Sequence, residues 1–130
     1  MSPFEQTAFE KLGGHQFLKE LVEKFYQLVG NHPDLAPLFP EDFTETKRKQ
    51  AQFLTQFLGG PSLYTDEHGH PRLRARHLPF PITPHRAEAW LQCMRQALEE
   101  TPGDIAEKQH LFERLTLTAH HMINTPQDGS

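Results

Sequence analysis

The sequence contains one cysteine, no long apolar run and no excess of basic residues. With Cys93 alone, the chain can form neither an internal disulfide nor a Cys-based zinc cluster, and it fits a reducing compartment. No segment approaches the roughly 20 apolar residues of a membrane-spanning helix, and the amino terminus lacks the basic region and apolar run of a signal peptide. The formal net charge of −4 argues against a general nucleic-acid binder, which normally carries a concentrated basic face. We therefore expect a cytoplasmic protein that binds neither membranes nor nucleic acids.

Aromatic residues, by contrast, are plentiful. The 130 residues include ten phenylalanines, and a chain of this length has room for one domain with one core. Ten phenylalanines make that core unusually aromatic, which suits a flat aromatic ligand. The sequence shows no internal repeat and no alternation of apolar and polar residues typical of strands. We expect one all-α domain that spans residues 1–130.

Turn and cap signals divide the first half of the chain into helices. Apolar residues recur there at three- and four-residue spacing, and Gly13 and Gly14 are typical of a helix end. The expected helices are a short one within residues 1–13 that opens at Ser2 and Pro3, one that ends at Gly30, and one from a Thr44 cap to Gly59.

The second half begins with residues 59–73, which are rich in Gly, Pro and His and show no period, so we expect a loop that covers a ligand. His77 then ends a short helix that Pro79 stops. The remaining expected elements are a helix from a Thr83 cap to Thr101, a helix capped by Asp104 that buries Ile105 and Leu111, and a frayed tail at residues 125–130.

The third predicted helix carries an anomaly on its inward face. Its apolar stripe runs backwards from Phe57 through Leu54 and Phe53, and the same spacing then reaches Gln50 and Thr46. Buried polar side chains need partners. These two residues therefore either find partners within the core or line a binding pocket.

Most of the nine histidines lie beside charges or in turns, where a solvated imidazole needs no special role. This group comprises His15, His32, His85, His110 and His120. A zinc site built from His68 and His70 with Asp66 and Glu67 is a minor alternative, because these residues do not complete a good ligand set.

His77 differs, because it lies between a basic helix and a rigid proline segment. An axial haem ligand must be a rigidly aimed neutral imidazole, with cations nearby for the propionates. Arg74 and Arg76 meet the second condition, and Pro79 and Pro81 fix where the ring can point. From spacing alone, a helix-capping histidine and a haem ligand both remain open.

An ordered set of motifs extends over nearly the whole chain. It consists of Gly13 and Gly14, Phe25 and Tyr26, residues 37–40, Gln50 with Phe53 and Leu54, residues 59–64, residues 68–71, residues 73–77 and Trp90. This set resembles the truncated haemoglobins, specifically their second group. The resemblance implies a truncated globin fold, a two-over-two helical sandwich that encloses one haem b.

The resemblance also implies roles for individual residues. His77 is the implied proximal iron ligand, and Phe39 packs on the haem face. The implied distal residues around bound gas are Tyr26, Thr46, Gln50 and Trp90. The other implied haem contacts are Phe53 and Leu54 and, near the propionates, Lys49, Tyr64 and Arg76. Thr46 and Gln50 are thus the residues that interrupt the apolar stripe.

A protein of this kind is expected to bind O2, CO and NO reversibly. Distal hydroxyl and indole donors give charge-assisted hydrogen bonds, so release of oxygen should be slow and suited to scavenging or storage. The alternative is a redox enzyme, an NO dioxygenase or a peroxidase-like protein, with a separate reductase as partner. Peroxide and sulfide are further candidate ligands, and a monomer or weak homodimer is expected. A haem-free helical interaction module is the third hypothesis.

Overall fold

Helices account for all the regular structure of residues 6–126, the part of the chain that this computed structural model describes. The α-helices are α1 (Ala8–Leu12), α2 (Gly14–Gly30), α3 (Thr44–Phe57), α4 (Leu63–His68), α5 (Leu73–His77), α6 (Pro84–Glu100) and α7 (Ile105–Met122), with a 3-10 helix at Ala36–Leu38. No strand occurs among residues 6–126, which confirms the all-α prediction.

A glycine ends α1 and turns the chain into α2. Thr7 caps α1 by accepting a hydrogen bond from the backbone N–H of Glu10 at 3.2 Å, and Gly13 leaves the helix with a φ of 118°. Side chains disfavour that backbone conformation, so glycine suits it. The predicted helix end is therefore confirmed. The predicted start at Ser2 and Pro3 lies outside the described residues, within which α1 begins only at Ala8.

Two pairs of helices form the body of the fold. Helix α2 packs against α3 and α6, and α6 packs against α7. Phe25, Leu54, Met94 and Leu111 are fully buried where these helices meet. Burying each such side chain stabilises the fold by roughly 1.5 to 3 kcal/mol. The smaller helices are attached to this body, α4 to α3 and α5 to α7.

Residues 59–73 are not the continuous loop that their composition predicted, because α4 lies within them. A helix of six residues is too short to show a period in the sequence and is marginal by itself. Contacts with α3 stabilise it. The sequence of residues 59–73 alone does not indicate those contacts.

The caps of the longer helices agree closely with the prediction. Thr83 accepts a hydrogen bond from Arg86 N–H at 3.1 Å, and Asp104 accepts one from Glu107 N–H at 2.9 Å. The predicted Thr44 cap is displaced by one residue: Phe43 is the cap position, and the Asp42 carboxylate accepts from Thr44 N–H at 2.9 Å.

One prediction for the last helix is wrong. Ile105 is 74% exposed, since it lies about 100° around the helix from the buried face formed by Leu111, Leu115 and Met122. Of the tail that the sequence predicts to be frayed, Thr125 N–H donates to the Ile82 carbonyl oxygen at 3.1 Å, and residues 127–130 lie outside the described residues. Within residues 6–126, no helix is both long and apolar enough to cross a membrane.

Candidate functional site

A cavity of about 560 Å³ lies among α2, α3, α4, α5, α6 and α7. Its walls include aliphatic and aromatic side chains from all six helices, as expected of a site for a flat apolar ligand. Ten of the eleven residues proposed from the sequence line it: Tyr26, Phe39, Thr46, Lys49, Gln50, Phe53, Tyr64, Arg76, His77 and Trp90. The structure thus brings these ten residues together.

Leu54 is the exception, because the structure does not place it on the cavity wall. The side chain is fully buried in the core and does not line the cavity. Thr46, Lys49, Gln50 and Phe53 face the cavity, and Leu54 lies about 90° around α3 from the centre of that face. Leu54 therefore packs between helices instead.

The imidazole of His77 is fixed at one of its two nitrogens. Nδ1 lies 2.7 Å from the Leu73 carbonyl oxygen, one turn earlier on α5. A carbonyl oxygen can only accept, so Nδ1 carries the proton in this contact. In the neutral ring, Nε2 is then the nitrogen with a free lone pair, on a side chain that lines the cavity. This is the arrangement of an oriented metal-ligating histidine.

Tyr26 lines the cavity from the second half of α2. The side chain is buried, and no residue among 6–126 accepts a hydrogen bond from its hydroxyl. Burial raises the pKa of Tyr26 above its ordinary value, so the hydroxyl keeps its proton. Tyr26 therefore offers an unused donor to the cavity.

Three further polar side chains line the same cavity, namely Thr46 and Gln50 from α3 and Trp90 from α6. None of them has a hydrogen-bond partner within the described part of the chain. No described side-chain N or O atom is both fully buried and unsatisfied, so their polar atoms retain some accessible surface. The structure thus shows no hydrogen-bond partner in the core for Thr46 or Gln50, which was the first of the two possibilities that the sequence left open.

Aromatic contacts hold two of these donors in place. The Phe25 ring lies between them, with ring centroids 4.9 Å from Tyr26 and 5.1 Å from Trp90. Both contacts are edge-on, a favourable geometry for aromatic pairs. Phe43, which the sequence did not single out, packs on Tyr26 at 5.3 Å and on Phe39 at 6.1 Å.

Cations mark the polar part of the cavity. Arg76 donates to the backbone oxygens of His68 and His70 at 3.0 and 3.3 Å, and its guanidinium lies 5.5 Å from the centre of the Tyr64 ring. Lys49 is exposed and lines the cavity. Arg86 is a third cation on the wall that sequence reasoning missed, and it donates to the Pro81 carbonyl oxygen at 2.7 Å.

The alternative zinc site is not assembled. Among residues 6–126, no three His, Cys, Asp or Glu side chains are placed to hold a metal ion. The His68 ring instead lies 2.9 Å from Gln52 Oε1 and 3.0 Å from Glu67 Oε2. Elsewhere His85 contacts Asp34 at 2.6 Å, and His15 packs edge-on against Phe9.

Comparison with known proteins identifies the family. The model of the bacterial-like globins matches residues 7–124. The chain is 60% identical over 111 residues to the group 2 truncated hemoglobin YjbI of Bacillus subtilis, which is 85% of this chain and 84% of that protein. The chain belongs to the group II truncated haemoglobins. Both the family and the truncated globin fold predicted from the sequence are thus confirmed.

Solved structures of truncated haemoglobins agree with this assignment. The group II truncated hemoglobin of Bacillus anthracis is 60% identical, with a TM-score of 0.94 and 97% of each chain covered. That protein is also solved as Trp90→Leu and Tyr26→Ala variants. The truncated oxygen-avid haemoglobin of Bacillus subtilis is 56% identical, with a TM-score of 0.86 over 92% of this chain and 100% of that one.

Globins use haem, and the residues of this truncated haemoglobin fit that group. The cavity is apolar, of the size of a cofactor site, and bordered by cations that can pair with propionates. His77 lines the cavity, and the contact of its Nδ1 with Leu73 orients its ring. Family membership and fit together favour the haem-binding interpretation over the haem-free module.

Proposed function

We propose that this globin holds one haem b through His77 and binds O2 reversibly with slow release, in oxygen scavenging or storage. One observation carries the proposal: an oriented imidazole and four polar side chains without hydrogen-bond partners among residues 6–126 line a single apolar cavity. The similar truncated haemoglobin of Bacillus subtilis is oxygen-avid, which supports the proposal. CO and NO are proposed as further ligands.

His77 is the proposed iron ligand. Its Nδ1–H donates to the Leu73 carbonyl oxygen at 2.7 Å. Rotation of the side chain about the Cα–Cβ or the Cβ–Cγ bond would break this hydrogen bond. We propose that this contact keeps Nε2 available to the iron, and a hydrogen bond at Nδ1 raises the basicity of the imidazole. Pro79 and Pro81 follow at once and stiffen the chain beyond it.

The haem itself is proposed to be held by flat and charged side chains. Phe39 and Phe53 supply aromatic surface for the porphyrin faces, and both line the cavity. Arg76 and Lys49 supply the charges for the propionates, with the Tyr64 hydroxyl beside them. A guanidinium can contact a carboxylate with two parallel hydrogen bonds, so we expect Arg76 to contribute more than the exposed Lys49.

Bound haem supplies an iron that takes up diatomic gases. Tyr26, Trp90 and Gln50 supply donors on the cavity wall, and the shared contact with Phe25 keeps the Tyr26 and Trp90 rings in place. These donors cost little reorganisation, because no described residue competes for them. Thr46 is smaller than a histidine would be and leaves space beside them.

The cellular setting is proposed from the sequence. Cys93 is a free, buried thiol, which fits a reducing cytoplasm. There a separate reductase is proposed to keep the iron ferrous.

Substitution of His77 tests the proposal. Purified wild-type protein should show a Soret band that survives dialysis, His77→Ala should lose it, and added imidazole should restore it. His121→Ala is the matched control, because His121 is an exposed histidine on α7, away from the cavity lining. A colourless wild-type protein that cannot be reconstituted, or a His77→Ala protein with the wild-type spectrum, would contradict the proposal.

A further inference from the structure

The side chain of Asn124, just beyond the end of α7, holds the chain that follows His77. Asn124 Nδ2 donates to the backbone oxygens of His77 and Phe80, each at 3.0 Å. Asn124 Oδ1 accepts from Ile82 N–H at 3.0 Å and from the Thr125 hydroxyl at 2.6 Å. One amide thus uses both donors and both acceptor positions, three of them on residues 77–82.

The backbone of Asn124 and Thr125 adds to this attachment. Their N–H groups donate to the Ile82 carbonyl oxygen at 3.0 and 3.1 Å. We call these two residues the C-terminal clasp, and residues 77–82 the proximal segment. Five hydrogen bonds therefore join the clasp to the proximal segment across more than 40 positions of sequence.

The proximal segment has little else to hold it. Pro79 and Pro81 have no N–H to donate, and Phe80 N–H makes the one internal contact, with the His77 carbonyl oxygen at 2.9 Å. Leu78 is 55% exposed and Phe80 is 45% exposed, so apolar packing contributes little. The clasp, the Arg86 contact with the Pro81 carbonyl oxygen and a hydrogen bond from Leu78 N–H to the Ala75 carbonyl oxygen at 3.3 Å thus fix where this segment lies.

His77 is consequently held at two points. Its ring is held from within α5, through Nδ1 and the Leu73 carbonyl oxygen. Its backbone is held from the end of α7, through its own carbonyl oxygen and Asn124 Nδ2. If the clasp shifted, the backbone of His77 would move relative to the cavity. The ring would then turn, because its Nδ1 is held by the Leu73 carbonyl oxygen while the backbone moves.

We infer that Asn124 is a positioning residue for the His77 imidazole, and that it sets the direction from which Nε2 reaches the haem iron. The inference rests on the proposed function, since it gives His77 the role of iron ligand. It adds that the end of α7, far from His77 in sequence, tunes the strength of that bond.

Asn124→Asp is the decisive variant. Aspartate keeps the size and one acceptor, but puts a carboxylate oxygen against the His77 and Phe80 carbonyl oxygens that now receive N–H groups. We expect the iron–imidazole stretching band in the resonance Raman spectrum of the ferrous, ligand-free protein to shift or split. This repulsion should push the whole side chain away, so that Ile82 N–H loses its acceptor as well. In the haem-free protein, we therefore expect Ile82 N–H to exchange with solvent about tenfold faster, which corresponds to about 1.4 kcal/mol.

Asn31→Asp is the matched control. Asn31 also follows a helix and donates from Nδ2 to a backbone oxygen, that of Gln27 at 2.9 Å, but it does not line the cavity. The control should leave the iron–imidazole band at its wild-type position. An Asn124→Asp protein with an unchanged band would overturn the inference. A wild-type protein that lacks the band would instead contradict the role of His77 and with it the proposed function.

The wild-type protein provides a test that needs no substitution. If Asn124 makes the contacts described, its side-chain amide protons should be protected from solvent exchange, unlike those of the exposed Gln109. Unprotected Asn124 amide protons would overturn the inference even if Asn124→Asp failed to fold.

Discussion

Gln56 and Thr65 hold each other through two hydrogen bonds. The Gln56 amide donates from Nε2 to the Thr65 hydroxyl at 2.6 Å, and its Oε1 accepts from Thr65 N–H at 2.9 Å. This pair joins the last turn of α3 to α4 and places Tyr64, the neighbour of Thr65, on the cavity wall. It is one of the contacts with α3 that stabilise a helix in a stretch rich in Gly, Pro and His.

Gln56→Ala should loosen α4 without disturbing the core. The variant loses two hydrogen bonds worth roughly 0.5 to 1.5 kcal/mol each, so we expect the free energy of unfolding to fall by about 1 to 3 kcal/mol. Haem loss to an excess of a haem-accepting protein should become faster, since Tyr64 is less firmly placed. Gln109→Ala, an exposed glutamine on α7, is the control. Equal haem loss from the two variants would show that α4 does not depend on the Gln56 contact.

The sequence predicts those parts of the fold that local chemistry determines. Gly13, Thr83 and Asp104 were identifiable because a cap acts within one helical turn. Helix α4 was not, because Gln56 and other residues of α3 stabilise it from outside. The position of Ile105 was misjudged because a cap fixes where a helix starts and not which face meets its neighbour.

In the candidate site, too, the sequence indicated some residues and not others. Gln50 and Thr46 were recognisable as polar residues on an apolar stripe, and the structure places both at the cavity. The sequence did not reveal Arg86 and Asn124, because each donates a hydrogen bond to a backbone carbonyl oxygen. The spacing of residue types along the chain does not indicate such contacts. For Asn124 the partners lie 42 to 47 positions earlier in the chain. Such contacts appear only once the helices are packed.

The stability of the α3–α4 contact should depend on pH through Glu67. Arg48 contacts both carboxylate oxygens of Glu67, each at 2.7 Å, and this lowers the pKa of Glu67 from 4.5 to about 2. A carboxyl whose folded pKa is depressed stabilises the fold above its unfolded pKa, and that contribution disappears as the pH falls through the folded value. The contribution should therefore be complete above pH 4.5 and vanish progressively toward pH 2.

Thermal unfolding of the wild type and of Glu67→Gln across this range checks the pH dependence. The difference in Tm should be present at neutral pH, shrink as the pH falls, and decrease with added salt, because the pair is exposed. Asp66→Asn, the neighbouring acid on α4, is the control. A Tm difference for Glu67→Gln that stays constant with pH would rule out the ion pair as its source.

Substitution by valine should change the stability of the protein differently at two threonines of α3. Thr55 is buried and donates to the Ala51 carbonyl oxygen at 2.7 Å, so Thr55→Val should destabilise the haem-free protein by about 1 kcal/mol. Thr46 lines the cavity and has no hydrogen-bond partner among residues 6–126, so Thr46→Val should leave stability unchanged or raise it. Denaturant unfolding of both haem-free variants makes the comparison. A cost for Thr46→Val as large as that for Thr55→Val would assign Thr46 a structural role.

Tyr26 and Trp90 should together determine how slowly oxygen leaves. Each offers a donor with no protein partner among residues 6–126, and hydrogen bonds to charged groups are worth roughly 1.5 to 3 kcal/mol. Tyr26→Phe and Trp90→Phe should therefore each speed oxygen release by about tenfold or more, as stopped-flow measurements would show. CO carries less charge when bound and is the control ligand, so its release should change much less. Because both rings pack on Phe25, the effects should not add in the double variant. Oxygen release at the wild-type rate in both single variants would mean that neither side chain is the donor, and Gln50 would then be the remaining candidate on the cavity wall.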